Sequence, residues 1–178
     1  MKALEVVCGD VAGTRRLAAA VAKILRPGDV VLLDGELGAG KTTFVQGMAA
    51  ALGIPGHVTS PTFTLVDVHR VPAGFDLLHV DLYRLEHLHE VIDLALPEAL
   101  EDGAVVVAEW GSRALAALPG DHLLVTLREP APKGERPEGE TVREGERIAR
   151  IEPFGTTWAC RWAELTSQAG LASQAGQQ

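Results

Sequence analysis

Gly35-Glu36-Leu37-Gly38-Ala39-Gly40-Lys41-Thr42 is the stretch that decides the fold. It satisfies G-x-x-x-x-G-K-[ST], the pattern of a phosphate-binding loop. Gly35, Gly38 and Gly40 allow left-handed backbone and close approach to a ligand. Successive N–H groups around Ala39 can then turn inward as an anion nest. A helix that starts at the loop aims its positive end at the same point. Lys41 would reach the β- and γ-phosphates of ATP or ADP as a point charge, and the Thr42 hydroxyl would ligate Mg²⁺. Thr43 either touches the α-phosphate or simply begins the helix.

The flanking sequence fits this motif. Val30-Val31-Leu32-Leu33 is a continuous apolar run, as a strand buried on both faces requires. A helix is expected over 41–52, with Phe44, Val45, Met48, Ala49 and Leu52 as its buried stripe and Gly53 as its stop. Strand, loop, helix is the order that a parallel sheet needs. Upstream, Leu17, Val21, Ile24 and Leu25 share one face of a helix over 14–25, which Arg26-Pro27-Gly28-Asp29 ends. Downstream, strands are expected over 62–68 and 76–81, joined as a hairpin or meander by Val71-Pro72-Ala73-Gly74. A helix over 85–100 breaks at Pro97, and apolar strands follow over 104–108 and 122–127. Residues 129–146 read as a solvated loop, and a strand returns over 147–152. One domain is expected over 1–166, with 167–178 as a flexible tail.

Composition narrows the function classes. The 178 residues suit one domain, and 47% apolar content supports a sizeable core. The sequence has no apolar run long enough for a membrane span and no secretory leader, so a cytoplasmic protein is expected. Cys8 and Cys160 are expected as reduced thiols. The formal net charge of −8 and a lysine set of only Lys2, Lys23, Lys41 and Lys133 disfavour a direct grip on nucleic acid.

A phosphate loop needs a carboxylate near the metal, usually at the end of a neighbouring apolar strand. Two acids qualify: Asp81 after Leu77-Leu78-His79-Val80, and Glu109 after Val105-Val106-Val107-Ala108. Spacing does not rank them, and either could instead cap a helix or face solvent. Ser60-Pro61-Thr62-Phe63 occupies the place where a switch can sense the γ-phosphate. By pattern alone it reads first as a turn, with Pro61 fixing φ.

Taken together in order, GELGAGKTTFVQG, TSPTFTLV, HVDLYRL and VVVAEWGSR resemble the TsaE family over roughly residues 10–128. That family is the ATPase component of the bacterial machinery for threonylcarbamoyladenosine in tRNA. The resemblance implies a P-loop NTPase-like α/β sandwich of three layers with a mixed parallel and antiparallel sheet. It makes Lys41 the loop lysine, Thr42 the magnesium-binding threonine and Glu109 the metal-associated glutamate. Asp81 then matches an aspartate important for hydrolysis, Thr62 falls in the switch-like segment, and Trp110 matches a tryptophan beside the nucleotide. The implied partner is the TsaB–TsaD pair, with tRNA met only indirectly. Glu36 stands where many relatives have Asp, and His79-Val80 replaces a more usual His-Phe, without loss of a proposed ligand.

Other readings start from lesser features. Arg84 and Arg113 are read as surface salt-bridge residues rather than fingers. His87 and His89 are expected on different faces of a helix, which argues against a metal site. Trp158 and Trp162 suit one packed helix face. Arg143, Arg147 and Arg150 sit among glutamates and read as a solvated hairpin rather than a kinase-like lid. Beside a partner-driven ATPase, two alternatives stand: a small-molecule phosphotransferase, and a nucleotide-dependent binding subunit with negligible hydrolysis.

Overall fold

In the computed structural model, which describes residues 3–118, 120–131 and 143–174, the apolar run becomes a central strand. The strands are β1 (Leu4–Cys8), β2 (Val30–Asp34), β3 (Val66–Arg70), β4 (Asp76–Asp81), β5 (Val105–Glu109), β6 (His122–Arg128) and β7 (Arg147–Phe154). The helices are α1 (Val11–Ala22), α2 (Lys41–Ala51), α3 (Leu88–Ile92), α4 (Leu96–Glu101) and α5 (Gly155–Gln174), with a 3₁₀ turn at Gly111–Ala114. The seven strands form one sheet in the order β1-β7-β6-β2-β5-β4-β3. The inner pairs β6/β2, β2/β5 and β5/β4 run parallel, while β1/β7, β6/β7 and β3/β4 run antiparallel. The mixed sheet expected from the family resemblance is thus present.

Why β2 carries no polar residue before Asp34 is plain from its surroundings. Val31 and Leu33 face a core built with Leu17, Val21, Phe44, Met48 and Trp158 from α1, α2 and α5. Val30 and Leu32 face a second core with Leu96, Leu100 and Ala114 on the opposite side. Both faces of the sheet are covered, which gives three layers. Each large side chain buried this way stabilises the fold by about 1.5–3 kcal/mol. Gly47 lets α1 and α2 approach closely, since a Cβ there would lie 2.8 Å from Arg15 Cα. An ion pair fixes α5: Arg161 binds Asp29 through two bonds of 2.6 Å, with both side chains nearly inaccessible. Arg161 also donates to the Ile24 carbonyl, and Asp29 accepts from the Arg26 N–H.

Several local expectations change. The first strand, β1, lies in a segment for which no element was expected; it is held by pairing of Leu4 with Ile151 and Cys8 with Arg147. The strand expected over 62–68 starts only at Val66, because residues 61–65 form a turn closed by Leu65 N–H to Pro61 carbonyl, 2.7 Å. Pro97 does not break a helix. It sits in the first turn of α4, where its missing N–H would have no partner anyway, and the break falls at 93–95 with Ala95 left-handed. Helix α5 continues to Gln174, into the segment expected as a tail; residues 175–178 lie outside the described ones. So does 132–142, most of the loop expected over 129–146. Cys8 is buried, Cys160 is exposed, and both are free thiols. Among the described residues no helix is long and apolar enough to cross a membrane.

Candidate functional site

The carboxyl end of β2 opens directly into the glycine-rich loop. Gly35 has φ of 138°, and a Cβ there would be driven into the Leu127 carbonyl of the neighbouring strand. Gly40, with φ of 103°, is the N-cap of α2 and offers no side-chain acceptor to the helix. The first N–H groups of α2 therefore remain available to an anion.

Two neighbouring strand ends bring in the acids. Register places Leu33 beside Glu109 and Glu109 beside Asp81, so β2, β5 and β4 deliver the loop and both carboxylates to one edge. Thr42 Oγ1 donates to Glu109, 2.8 Å from Oε1 and 3.1 Å from Oε2. With its proton so directed, the hydroxyl keeps lone pairs for a cation. Glu109 Oε1 is also 2.9 Å from Nε2 of the fully buried His79. Against a carboxylate that nitrogen must be the donor. Asp81 Oδ2 accepts from Ser60 at 2.6 Å and Thr62 at 2.8 Å, and Oδ1 accepts from the Tyr83 N–H at 3.0 Å. Burial pushes the Asp81 carboxyl up, but the bonds from Ser60, Tyr83 and Thr62 and the charge of His79 together hold it below the ordinary aspartate value.

Lys41 turns back on its own loop. Its Nζ donates to the carbonyls of Gly35 at 2.7 Å and Glu36 at 2.9 Å, and lies 3.7 Å from the Trp110 ring centroid. Burial lowers its pKa, opposed by Glu109, Asp81 and Asp34. Trp110 holds φ of 60°, a strained conformation for an aromatic residue, and packs on Tyr83 at 5.1 Å. Strain of this kind marks places where surrounding structure imposes a side-chain direction; here the indole is laid over the lysine.

One cavity of about 390 Å³ is lined by Gly38, Gly40, Lys41, Thr42, Thr43, Thr62, Asp81, Glu109 and Trp110, together with Ser60 and Tyr83. Gly35, Glu36, Leu37 and Ala39 line a second cavity of about 790 Å³, together with Thr126–Ala131, Arg143 and Gly145–Arg147. Every residue expected to touch nucleotide or metal thus borders one of two cavities that share Leu37 of the loop. Ser60, His79, Tyr83 and Arg147 were not selected. The signal for His79 was a histidine inside an otherwise apolar strand, and for Ser60 a second hydroxyl two residues from Thr62. Arg147 was weighed with Arg143 and Arg150 as a lid and read instead as part of a solvated hairpin, because glutamates surround it.

The lesser readings fare differently. Among the described residues Arg113 makes no salt bridge; its Nη1 donates to the carbonyls of Leu82, Tyr83 and Leu85 at 3.2, 2.6 and 2.8 Å and fastens the turn after Asp81. Arg84 stacks on the exposed Phe63 ring, 4.3 Å from its centroid. His87 and His89 do not diverge: His87 is the N-cap of α3, and the two rings stack at 5.4 Å. Among the described residues no group of His, Cys, Asp and Glu side chains is placed to hold a metal by itself. Arg150 pairs with Glu152 along its strand, as a solvated hairpin suggests. Arg147 does not follow that reading, because it contacts the phosphate loop.

Known proteins resemble this chain in sequence and in fold. Residues 8–137 match the family described as threonylcarbamoyl adenosine biosynthesis protein TsaE. A Streptomyces coelicolor protein named tRNA threonylcarbamoyladenosine biosynthesis protein TsaE is 42% identical over 147 residues, covering 82% of this chain and 93% of the relative. A Nostoc protein of the same name is 37% identical, covering 86% of this chain and 88% of the relative. The crystal structure of Bacillus subtilis YdiB superposes with a TM-score of 0.73 at 28% identity, covering 93% of this chain and 95% of that one. The edge that gathers loop, threonine and two strand-end acids therefore lies within a matched region that spans most of the domain, and the chain belongs to the TsaE family of tRNA threonylcarbamoyladenosine biosynthesis proteins.

Proposed function

We propose that the chain is a Mg²⁺-dependent ATPase that supports this tRNA modification by binding and resetting a TsaB–TsaD complex. The observation that carries the reading is the Thr42–Glu109 hydrogen bond of 2.8 Å beside a buried lysine at a glycine-rich helix N-terminus. Thr42 and Glu109 have the donor chemistry to hold Mg²⁺, a hard cation that prefers a few protein oxygens and keeps several waters. When bound, the metal supplies positive charge to the β- and γ-phosphate oxygens. The loop N–H groups and Lys41 bind the same oxygens and stabilise charge that develops on them. Lys41 must first exchange two carbonyl acceptors for phosphate oxygens. Asp81, lowered in pKa and so ionised at neutral pH, orients a water for in-line attack. Ser60 and Thr62 hold that carboxylate and sit where a γ-phosphate would compete for their hydroxyls.

The cavity of about 790 Å³ flanks the loop at the carboxyl ends of β2 and β6, and suits the nucleoside. Three arginines near the site are already engaged: Arg113 by carbonyls, Arg84 by Phe63 and Arg147 by carbonyls of the loop. Turnover by the chain alone is accordingly slow, and a partner that adds a cation accelerates it. The test is phosphate release from Mg–ATP with the chain alone and with purified TsaB–TsaD. Stimulation that disappears in Lys41→Ala supports the reading. Absence of release in both conditions, with ATP bound, leaves a nucleotide-dependent binding subunit.

A further inference from the structure

Arg147 reaches the phosphate loop from a strand more than a hundred residues away in sequence. Its Nε donates to the Ala39 carbonyl at 3.1 Å and its Nη2 to the Gly38 carbonyl at 3.2 Å. Nη1 donates to the Glu146 carbonyl at 2.8 Å, and Nη2 pairs with Glu129 at 3.2 Å. Its side chain is only 20% exposed. All three nitrogens of the guanidinium are thus used, and two of them act on the loop.

The acceptors are informative. A loop that turns its N–H groups toward a ligand turns carbonyls outward, and Arg147 takes two consecutive ones. Gly38 and Gly40, with φ of 81° and 103°, flank Ala39. Glycines lose the most conformational freedom on ordering, so this segment is the costliest part of the site to hold in one shape. Arg147 lines the cavity shared with Gly35 and Ala39 and is absent from the lining of the one that contains Lys41. It can therefore hold the loop without occupying the place of Lys41 or the metal.

We propose that Arg147 is a positioning residue that clamps the outward carbonyls of Gly38 and Ala39 and keeps the phosphate loop shaped for an anion before the anion arrives. The consequence for nucleotide affinity rests on the proposed function; the clamp itself does not. A preformed loop spares the ligand the work of ordering it. The clamp acts alike on ground state and transition state, so its loss raises KM and leaves kcat nearly unchanged.

The test uses Arg147→Gln and Arg147→Lys in the full chain. Amide hydrogen exchange is followed first without nucleotide, in peptides covering residues 35–43. Exchange there should quicken several-fold in Arg147→Gln and be partly restored in Arg147→Lys, while peptides from β2 and β5 stay unchanged. ATP and ADP should then bind roughly tenfold more weakly to Arg147→Gln, by equal factors. Unchanged exchange in the loop overturns the proposal. So does faster exchange spread through the sheet, which would make Arg147 a general stabiliser, and so does a fall in kcat at constant KM. If the wild-type chain binds no ATP while loop exchange still rises in Arg147→Gln, the clamp stands and the nucleotide reading falls.

Discussion

The Lys41 ammonium rests 3.7 Å from the centre of the Trp110 ring while it donates to the carbonyls of Gly35 and Glu36. A lysine held this way is partly desolvated, and its pKa is lowered by burial. Phosphate oxygens would restore its preference for the charged form. Nucleotide binding should therefore take up protons at alkaline pH, between the lowered value and the ordinary lysine value of 10.5. Calorimetry in buffers of different ionisation enthalpy measures this directly, and identical heats in every buffer would contradict it. Lys41→Ala should lose nucleotide binding; retention of both binding and turnover would remove the basis for the phosphate-loop reading.

Glu109 is held by Thr42 on one side and His79 on the other. Glu109→Gln should raise the Mg²⁺ concentration for half-maximal activity at least tenfold, with a smaller effect on metal-free nucleotide binding. His79→Phe removes the donor that orients Glu109 and should shift the same titration in the same direction. His79→Gln, which can still donate, should shift it less. An Mg²⁺ titration unchanged in Glu109→Gln would reject its metal role.

Asp81 has a folded-state pKa below its ordinary value of 3.8. The stability this contributes is fully present above that value and is lost as pH falls through the lowered one. Removing hydroxyls in Ser60→Ala or Thr62→Ala raises the folded pKa and shrinks this contribution. Urea midpoints should therefore differ between wild type and variants at neutral pH and converge on acidification below the ordinary aspartate range. A difference that stays constant with pH would assign the hydroxyls a role independent of Asp81.

The pair Arg161–Asp29 is buried and bidentate. Removing one partner leaves an uncompensated charge, so Asp29→Asn or Arg161→Met should each destabilise by about 3–5 kcal/mol. The double variant should lose clearly less than the sum of the two. Additive losses in denaturant unfolding would show that the two residues act independently.

Burial pushes the Cys8 thiol up to about 11, whereas Cys160 is exposed. A thiol reagent at mildly alkaline pH should modify Cys160 quickly and reach Cys8 only on unfolding. Rapid modification of two thiols in the folded protein would place Cys8 elsewhere.

Much of this architecture could be read from residue pattern because the relevant signals are local. Val30–Leu33 is apolar throughout because both its faces are covered, and the loop glycines stand where the backbone takes positive φ. Pro97 misled because a proline has the same local appearance whether it stops one helix or opens the next; only the left-handed Ala95 before it decides. The hydroxyls of Ser60 and Thr62 looked like turn chemistry because their acceptor, Asp81, comes from a different strand. Glu109 and Asp81 could not be ranked for a similar reason: register sets them side by side, and one then meets Thr42 while the other meets Ser60 and Thr62. Arg147 was hidden most deeply, since neither its spacing nor its neighbours point to Ala39.

The placing of β2 between β5 and β6 also sets a timetable for synthesis. The phosphate loop emerges early, but neither sheet neighbour of β2 exists until residues 105–128 have been made. At about 5–20 residues per second, roughly 90 further residues separate translation of the loop from completion of its second flanking strand. During those seconds α1 and α2 can cover one face of β2, but both of its hydrogen-bonding edges lack their strands. The antiparallel pairing of β1 with β7 postpones closure of that sheet edge further, until nearly the whole chain is present. The full setting of the loop therefore arrives late rather than growing with the chain, and a truncated product carries the loop without the strands that flank it.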